Sequence, residues 1–177
     1  MKNTIDIIVP YWGDFSLLRQ TVDSILAQTS DAWHLTILDD HYPDKTAQSY
    51  YKELNNKRIT YIRHRKNIGI TANFNYAIQY ASAPYCMIVG CDDKLLPDYV
   101  ETTLKNIGEA DFYQPGVQVI DDKNNVYLPL ADKVKRILQP KKSGMLTGEK
   151  LATLLCHGNW LYFPSITWKT DTIKRYS

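Results

Sequence analysis

Two adjacent aspartates, Asp92 and Asp93, follow an apolar segment and form the strongest functional signal in the sequence. The segment, residues 85–90, has the composition of a buried strand, and Pro97 follows the acidic pair. Open α/β sheets bind their ligands at the carboxyl ends of such strands. Carboxylate oxygens are the ligands that Mg2+ and Mn2+ prefer, and these ions commonly bridge protein carboxylates to phosphates. The junction therefore predicts a site for a divalent metal and phosphates.

A second acidic pair, Asp39 and Asp40, follows another predicted strand, 34–38, and Tyr11 comes just after the first predicted strand, 5–9. The carboxyl ends of parallel strands lie on one edge of a sheet, so we expect these groups to converge with the first acidic pair. Carboxylates gathered without cationic partners repel one another. Four of them on one edge therefore imply a bound cation or donors from a ligand.

A basic loop that contains Arg63, Arg65 and Lys66 precedes Asn67 and Gly69. These cations are suited to contact the phosphates or the base of a bound nucleotide, because charge-assisted hydrogen bonds to phosphate are strong. A solvated loop is the alternative role for each of them.

Strand-like and helix-like segments alternate in the first half of the sequence, which is the pattern of βαβ units. We therefore predict an α/β fold with a mostly parallel central sheet flanked by helices. Strands are predicted at 5–9, 34–38, 59–62 and 85–90, and helices near 18–26, 44–54, 70–80 and 98–107. In the third helix, Ala72, Tyr76, Ala77 and Tyr80 are expected to form one face, with small residues that allow close approach to the sheet.

The second half is less regular. Turn residues at 121–125 separate an extended segment, 111–120, from a return strand, 126–128. Further predictions are a basic mobile loop at 131–143, a helix at 147–156, an extended aromatic segment at 162–168 and the start of a helix at 170–176.

Composition limits the range of functions. The 177 residues are 44% hydrophobic and 23% charged, which fits one globular domain, and a formal net charge of +2 argues against a nucleic-acid partner. The three cysteines have no metal-ligand spacing and favour a reducing compartment. No stretch approaches a membrane span, and the first apolar run is too short for a signal peptide. We expect a cytoplasmic domain without a membrane segment.

Four segments resemble, in order and spacing, the nucleotide-sugar-binding half of family-two inverting glycosyltransferases, which have the Rossmann-like GT-A fold. They are residues 7–11, 38–40, 67–69 and 91–93 with the proline at 97. The resemblance covers about residues 4–108 well and the remainder loosely. It implies a single glycosyltransferase domain over 1–177, with a nucleotide-sugar-binding half at 1–108 and a partial acceptor-side half at 109–177.

The resemblance also implies roles for particular positions. The donor is expected to be a nucleotide-diphosphate sugar, with UDP as the family-level choice of nucleotide, and the cofactor Mn2+ or Mg2+. The metal neutralises the departing diphosphate, while an acceptor hydroxyl, deprotonated by a carboxylate, attacks the anomeric carbon and inverts it. Expected substrate-binding residues are Pro10 and Tyr11 at the base, Asp39 at the base or ribose, Asp40, Arg65, Asn67 and Gly69 around them, and Asp92 at the ribose or diphosphate; expected metal ligands are Asp93 and Asp92.

Three positions depart from the family pattern. Gly90 stands where relatives often have a further carboxylate, and Phe74, between Asn73 and Asn75, stands where many have an arginine. Relatives usually carry their catalytic base in a Glu-Asp pair beyond a segment that resembles 164–168. The sequence given stops soon after that segment, so we expect a truncation before the general base.

No catalytic residue is therefore predicted. Asp171 is the nearest carboxylate, and its context predicts a residue at the amino end of a helix rather than the base. His157, Asn159 and Trp160 are candidates for lining a site for a saccharide or other hydroxyl acceptor, with core packing as the alternative for Trp160. Regions outside this sequence, or the acceptor, would place the protein at the inner membrane surface.

Two other readings stay open. A nucleotide-sugar-binding module without turnover would need the same donor site. A phosphate-binding hydrolase or nucleotidyltransferase is weaker, because the sequence has neither a Gly-rich phosphate cradle nor a Ser-His-Asp arrangement.

Overall fold

The computed structural model describes residues 3–121 and 123–177. These residues divide into two compact units. The first contains the chain up to Pro115 together with Phe163–Ser177, and the second is Gly116–Tyr162. The functional border at residue 108 and the assignment of 1–177 to a single domain stay predictions.

The first unit is built on one sheet. The strands are β1 (Ile5–Tyr11), β2 (Trp33–Asp39), β3 (Ile59–Arg63), β4 (Tyr85–Ile88), β5 (Phe112–Tyr113), then β6 (Val119–Ile120) and β7 (Val126–Tyr127) of the second unit, and β8 (Thr167–Lys169). The described residues contribute six strands to the sheet, in the order β3-β2-β1-β4-β8-β5. β1 to β4 are parallel, and β8 is antiparallel to both β4 and β5. This confirms the mostly parallel α/β sheet.

The order of the parallel strands locates a ligand crevice. From β1 the chain moves outward through β2 to β3, and it then returns to the other side of β1 as β4. This reversal of the strand order is a topological switch point. The chain segments that leave the sheet on its two sides diverge, so a crevice remains beyond the carboxyl ends of β1 and β4.

Pro10 marks the place where β1 and β4 separate. Their pairing ends at Ile8 and Ile88, after which the Val89 N–H still donates to the Ile8 carbonyl oxygen at 3.0 Å. Backbone groups alternate between the two neighbouring strands, so Pro10 faces the same side as Ile8. Because proline has no N–H, it offers no donor for a further hydrogen bond to the β4 side.

Helices cover both faces of the sheet in the first unit. The helices of the two units are α1 (Phe15–Leu26), α2 (Thr46–Leu54), α3 (Ile70–Tyr80), α4 (Tyr99–Asn106), α5 (Leu130–Leu138), α6 (Gly148–His157) and α7 (Thr170–Arg175). One core cluster joins the strands to α1, α2 and α4, with Ile7 and Val9 of β1. The other joins them to α3 and α7, with Ile8. Strands covered on both faces are apolar nearly throughout, as β1 and β2 are.

α3 turns a different face to the sheet from the predicted one. Asn73 and Ala77 are its buried residues, whereas Ala72, Tyr76 and Tyr80 are exposed. The prediction was confirmed for Ala77 and wrong for the other three residues, because it looked for an apolar face and one of the buried positions holds a polar residue.

The second unit contains a hairpin and two helices among its described residues. β6 and β7 pair antiparallel, although the predicted extended segment 111–120 is strand only at β5 and β6. The predicted loop at 131–143 was wrong as far as Leu138, because Leu130, Val134 and Ile137 recur at helical spacing and the segment forms α5. Of the predicted turn at 121–125, Asp122 lies outside the described residues.

Near the carboxyl end, the predicted extended segment 162–168 contains a 3-10 turn, Phe163–Ser165, before β8. The helix predicted from 170 is α7. Across residues 3–121 and 123–177, no helix combines the length and the apolar character needed to cross a membrane.

Ile7 lies in the central strand β1 and is fully buried, whereas Ile70, at the start of α3, is 75% exposed. We expect Ile7→Ala to lower the free energy of unfolding by about 2–5 kcal/mol, because it leaves a cavity in the core. The same truncation at Ile70 should change it by no more than about 0.5 kcal/mol. Urea unfolding followed by circular dichroism measures both, and equal effects would contradict the central position of β1.

Candidate functional site

Two loops that contact each other line the crevice between β1 and β4. The Tyr11 hydroxyl donates to the Gly13 carbonyl oxygen at 2.9 Å and fixes the loop after β1. A Cβ built on Gly13 would lie 3.9 Å from Cys91 Sγ, so the Cys91 side chain packs against that loop. Burial raises the pKa of Tyr11 and the pKa of the Cys91 thiol. Both side chains are therefore neutral at physiological pH and act here as packing groups.

The carboxylates of Asp92 and Asp93 both approach Gly90. The position that a Cβ of Gly90 would take lies 2.6 Å from Asp93 Oδ2 and 2.9 Å from Asp92 Oδ1. The Gly90 N–H donates to Asp93 Oδ2 at 3.2 Å. Gly90 stands where relatives often have a further carboxylate. Because it has no side chain, it leaves the space in which the carboxylates of Asp92 and Asp93 converge.

Burial raises the pKa of Asp93, and the negative charge of Asp92 raises it further, against a smaller lowering by the Gly90 N–H. The ionised carboxylate is therefore less stable at this position than in water. A divalent cation beside the pair would reverse both effects.

The donor set fits such an ion as a partial site. Within the described part of the chain, no group of three His, Cys, Asp or Glu side chains is placed to hold a metal together. Asp92 and Asp93 would supply two oxygens, and Mg2+ or Mn2+ commonly takes the rest of its ligands from substrate phosphates and water.

Asp39 is fully buried and is neutralised within the protein. Its Oδ2 accepts from the Tyr61 hydroxyl at 2.6 Å and from the Arg63 guanidinium, and its Oδ1 accepts from the Tyr42 N–H at 2.7 Å. The expectation that the carboxylates of this edge lack a cationic partner was wrong for Asp39. The register of β2 with β3 sets Asp39 directly opposite Arg63, and that ion pair also removes Arg63 from the exposed basic loop.

Asp40 holds the loop that precedes α3. Its Oδ1 accepts from the Ile68 N–H at 2.7 Å, and its Oδ2 accepts from the Gly69 N–H at 2.9 Å. The Asp40 N–H donates to the Tyr11 carbonyl oxygen at 3.0 Å. Gly69 has a φ of 85°, which favours glycine, and it immediately precedes α3. One residue therefore connects the ends of β1 and β2 to the start of α3, through its backbone N–H on one side and its carboxylate on the other.

The predicted substrate-binding residues fall into two groups by accessibility. The first group lies under the crevice at the ends of β1 and β2, and the second lies on the surface of the surrounding loops. Their contacts with a ligand stay predictions. Buried are Pro10, Tyr11, Asp39 and Asp40; exposed are Arg65, Asn67 and Asp92; Gly69 is half-buried.

A polar network between α3 and the sheet was missed by sequence reasoning. Asn73 Nδ2 donates to the Leu38 carbonyl oxygen at 3.0 Å, and Asn73 Oδ1 lies 3.0 Å from His64 Nε2. Since that oxygen is an acceptor, His64 Nε2 is the donor. The His64 N–H donates to the Asp39 carbonyl oxygen at 2.8 Å. The available signal was a polar residue four positions before Ala77, on the face that packs on the sheet.

Trp12 is a second missed residue and provides an aromatic surface beside the crevice. Its side chain is 50% exposed, and its ring meets Tyr42 edge-on with the centroids 5.3 Å apart. Tyr42 also contacts the buried ring of Tyr11, at 5.6 Å between centroids. An exposed ring held in this way can stack on a base or a sugar. The signal was a tryptophan directly after the first buried strand.

An open depression of about 480 Å³ lies at the start of α3. It borders the loop that Asp40 holds, so the Asn67–Gly69 segment adjoins accessible surface. Its lining residues are Ile68, Gly69, Ile70, Thr71, Ala72 and Asn75.

The predicted acceptor residues His157, Asn159 and Trp160 lie in the second unit. Trp160 is 8% exposed, and its Nε1 has no hydrogen-bond partner in the described residues. Its burial supports the packing alternative. In the first unit, Asp171 lies in the first turn of α7, which confirms its predicted place at the amino end of a helix.

The family model for glycosyl transferase family 2 matches residues 6–170, which is most of the chain. The chain belongs to glycosyl transferase family 2. The match confirms the resemblance drawn from the motifs and extends it well past residue 108.

Longer glycosyltransferases are similar in sequence to this family 2 chain. It is 34% identical over 107 residues to the putative colanic acid biosynthesis glycosyl transferase WcaA of Escherichia coli (strain K12), with 59% of this chain and 38% of that protein covered. It is 28% identical over 173 residues to the uncharacterized glycosyltransferase RT0329 of Rickettsia typhi, with 93% and 51% covered. The chain thus spans about half the length, or less, of these relatives.

Solved structures share the fold. S. aureus TarS 1-349 has a TM-score of 0.64 at 16% identity, with 98% of this chain and 49% of that chain covered. The mannosyltransferase PcManGT from Pyrobaculum calidifontis has a TM-score of 0.56 at 18% identity, with 68% and 36% covered. At these identities the similarity shows the fold alone, and it confirms a GT-A-like arrangement for this family 2 chain.

Asp40→Asn tests the support of the loop before α3. The amide nitrogen of asparagine cannot accept a hydrogen bond, so either the Ile68 or the Gly69 N–H loses its acceptor. We expect hydrogen exchange of these amides to accelerate about tenfold or more, since a hydrogen bond to a charged group contributes about 1.5–3 kcal/mol. Asp44→Asn, a control at an exposed carboxylate bonded to Thr46, should leave them unchanged. Exchange at the native rate in Asp40→Asn would contradict the role of Asp40.

The raised pKa of Asp93 predicts the direction of a pH effect on stability. As pH rises above the ordinary value of 3.8, the unfolded chain loses the Asp93 proton first, so this group makes the folded state progressively less stable. The metal-free Asp93→Asn variant should therefore be more stable than the native chain at neutral pH. Thermal unfolding across pH with a chelator present measures this.

Asp14 provides the control of opposite sign. Its hydrogen bonds with Ser16 hold the pKa of Asp14 below its usual range, so its charge favours folding once it is ionised. Asp14→Asn should not raise stability at neutral pH. A loss of stability in Asp93→Asn like that in Asp14→Asn would contradict the unfavourable environment assigned to Asp93.

Proposed function

We propose that this chain forms the donor-binding part of a metal-dependent glycosyltransferase that transfers a sugar from a nucleotide-diphosphate donor to an acceptor hydroxyl with inversion. The observation that carries the proposal is the convergence of the Asp92 and Asp93 oxygens beside Gly90, at the switch point of a family 2 chain. A partly buried carboxylate, Asp93, repelled by the exposed carboxylate of Asp92 at such a crevice suits a cation bound together with phosphates.

Asp93 and Asp92 are the residues that would hold Mn2+ or Mg2+. When bound, the ion neutralises negative charge on the diphosphate leaving group. Gly90 contributes by leaving room for both carboxylates and by orienting Asp93 through its N–H. The structure of PcManGT in complex with GDP-Man and Mn2+ supports the choice of a divalent metal.

The nucleoside is proposed to lie on the β1 and β2 side of the crevice. Asp39 is fully buried, and its Oδ1 accepts from the Tyr42 N–H, so we assign it the role of holding Tyr42 in place beside the nucleoside. Trp12, which Tyr42 supports, offers a ring for stacking. TarS has been solved with UDP-GlcNAc and with UDP, which supports uridine as the first base to test.

The exposed loop residues complete the proposed donor site. Arg65 and Asn67 are exposed on the loop that Asp40 fixes by two backbone hydrogen bonds. An arginine in that position can neutralise phosphate charge or pair with the base, and the fixed backbone reduces the entropy lost when it does so. Asp92, also exposed, is proposed to contact the ribose or the diphosphate.

In the proposed reaction, the acceptor hydroxyl loses its proton to a carboxylate and its oxygen bonds to the anomeric carbon. The bond from that carbon to the diphosphate oxygen breaks on the opposite face, which inverts the centre. We assign no residue of this chain as the base. The colanic acid biosynthesis role in the name of WcaA supports a saccharide acceptor. A cytoplasmic location is also proposed, since the three cysteines, all of them described, are free.

Calorimetric titration with UDP tests the donor site. We expect UDP to bind more tightly with Mn2+ than with a chelator, and Asp93→Ala to weaken binding in Mn2+ about tenfold or more, because it removes a direct oxygen ligand. Gly90→Ala should also weaken it about tenfold, because its Cβ would displace the Asp93 carboxylate.

Matched controls separate these effects from general damage. Gly116→Ala adds the same methyl group where no atom lies within 4 Å, and Asp98→Ala removes an exposed carboxylate that bonds Thr102. Both should bind UDP like the native chain. If UDP binds equally well with and without Mn2+, and equally well to the native chain and to Asp93→Ala, the proposed metal site is wrong. UDP release from UDP-sugar and acceptor by this chain would exclude the non-catalytic module.

A further inference from the structure

α5 presents an apolar stripe to solvent. Leu130, Val134 and Ile137 are spaced to lie on one face of the helix, and they are 78%, 48% and 71% exposed. A surface helix of a globular domain normally buries such a stripe against the core. Packing within the second unit therefore leaves these three apolar side chains exposed to solvent.

Contacts within the second unit hold α5 by its polar side. The Tyr162 hydroxyl donates to Asp132 Oδ1 at 2.5 Å, and Lys135 Nζ lies 3.9 Å from the centroid of the Tyr162 ring. At 3.6 residues per turn, positions 132 and 135 lie on the side of the helix away from 130, 134 and 137. Holding the helix by Asp132 and Lys135 thus directs the apolar stripe outward.

Basic residues concentrate in α5 and in the segment that directly follows it. Residues 130–142 contain five basic side chains and one acidic one, a net charge of +4, whereas the whole chain has a net charge of +2. Lys141 Nζ donates to the Arg136 carbonyl oxygen at 3.2 Å, which keeps the chain after Pro140 close to the end of α5. The basic residues are Lys133, Lys135, Arg136, Lys141 and Lys142.

We propose that α5 binds an anionic membrane surface, with Leu130, Val134 and Ile137 inserted at the level of the lipid headgroups. Lys133, which borders the stripe, and Lys141 and Lys142, which follow the helix, would lie against the lipid phosphates. A helix that lies in the membrane interface needs an apolar face bordered by lysine and arginine, and α5 combines the two. Each basic residue near an anionic membrane adds about 1 kcal/mol to binding.

A protein partner fits this surface less well. Lysine is depleted in the cores of protein interfaces, whereas it borders the stripe on α5. Three aliphatic side chains also fall well short of the roughly 800 Å² that each partner buries in a stable complex. Membrane binding by α5 does not depend on the proposed donor site, so either can fail without the other.

Co-sedimentation of the full chain with lipid vesicles tests the proposal. We expect binding to vesicles of phosphatidylcholine mixed with phosphatidylglycerol, and binding at least about tenfold weaker to phosphatidylcholine alone. The double variant Leu130→Ser, Ile137→Ser keeps the net charge and should weaken binding to anionic vesicles about tenfold or more, because it removes inserted apolar surface. Binding should also fall with added salt.

Two double variants with the same charge change test the contribution of the basic residues to vesicle binding. Lys133→Glu with Lys142→Glu should abolish vesicle binding, whereas Lys52→Glu with Lys105→Glu, the same charge change on α2 and α4, should reduce it only slightly. Circular dichroism confirms folding of each variant. The proposal is overturned if the native chain does not bind anionic vesicles, or if the serine variant binds them equally well. It is also overturned if both charge pairs weaken binding equally, or if the stripe instead drives self-association without vesicle binding.

Discussion

Two negative charges, side by side and buried at the end of β2, constrain the arrangement of everything around them. A buried carboxylate is tolerated only when donors surround it, and each of the two recruits donors from a different direction. Asp39 draws in Tyr61 and Arg63 from β3, while Asp40 draws in the backbone of Ile68 and Gly69 before α3. Satisfying these charges therefore sets the position of β3, of the loop and of the start of α3 at once.

The acidic pair at the end of β4 has the opposite character. Asp92 and Asp93 converge on the space beside Gly90, and the raised pKa of Asp93 records the cost of that arrangement. Functional sites commonly contain groups that lower the stability of the ligand-free protein and that are stabilised when the ligand binds. The same edge of the sheet thus contains one carboxylate pair that the protein neutralises for itself and one that suits a cation and phosphates from outside.

The second unit shows the same dependence on partners. Tyr162 holds α5 through Asp132 and Lys135, so the polar side of the helix is used for internal contacts and the apolar side is left outward. Sequence reasoning expected a mobile basic loop here because it weighed the lysines and not the spacing of the apolar residues. The helix and its charge are both local properties, but the face that it exposes follows from a contact with a residue 30 positions away.

The sequence by itself determined the α/β fold class, the positions of β1 to β4 and the family, because apolar runs and strand-end carboxylates are local patterns. It also placed Asp92 and Asp93 together, since they are adjacent in the chain. Only the tertiary structure decided which carboxylates were already paired, because the partner of Asp39 comes from the register of β2 with β3. It likewise decided that α3 buries Asn73, since the hydrogen bonds that make this tolerable come from other elements. Contacts between distant residues set both outcomes, and no local pattern encodes them.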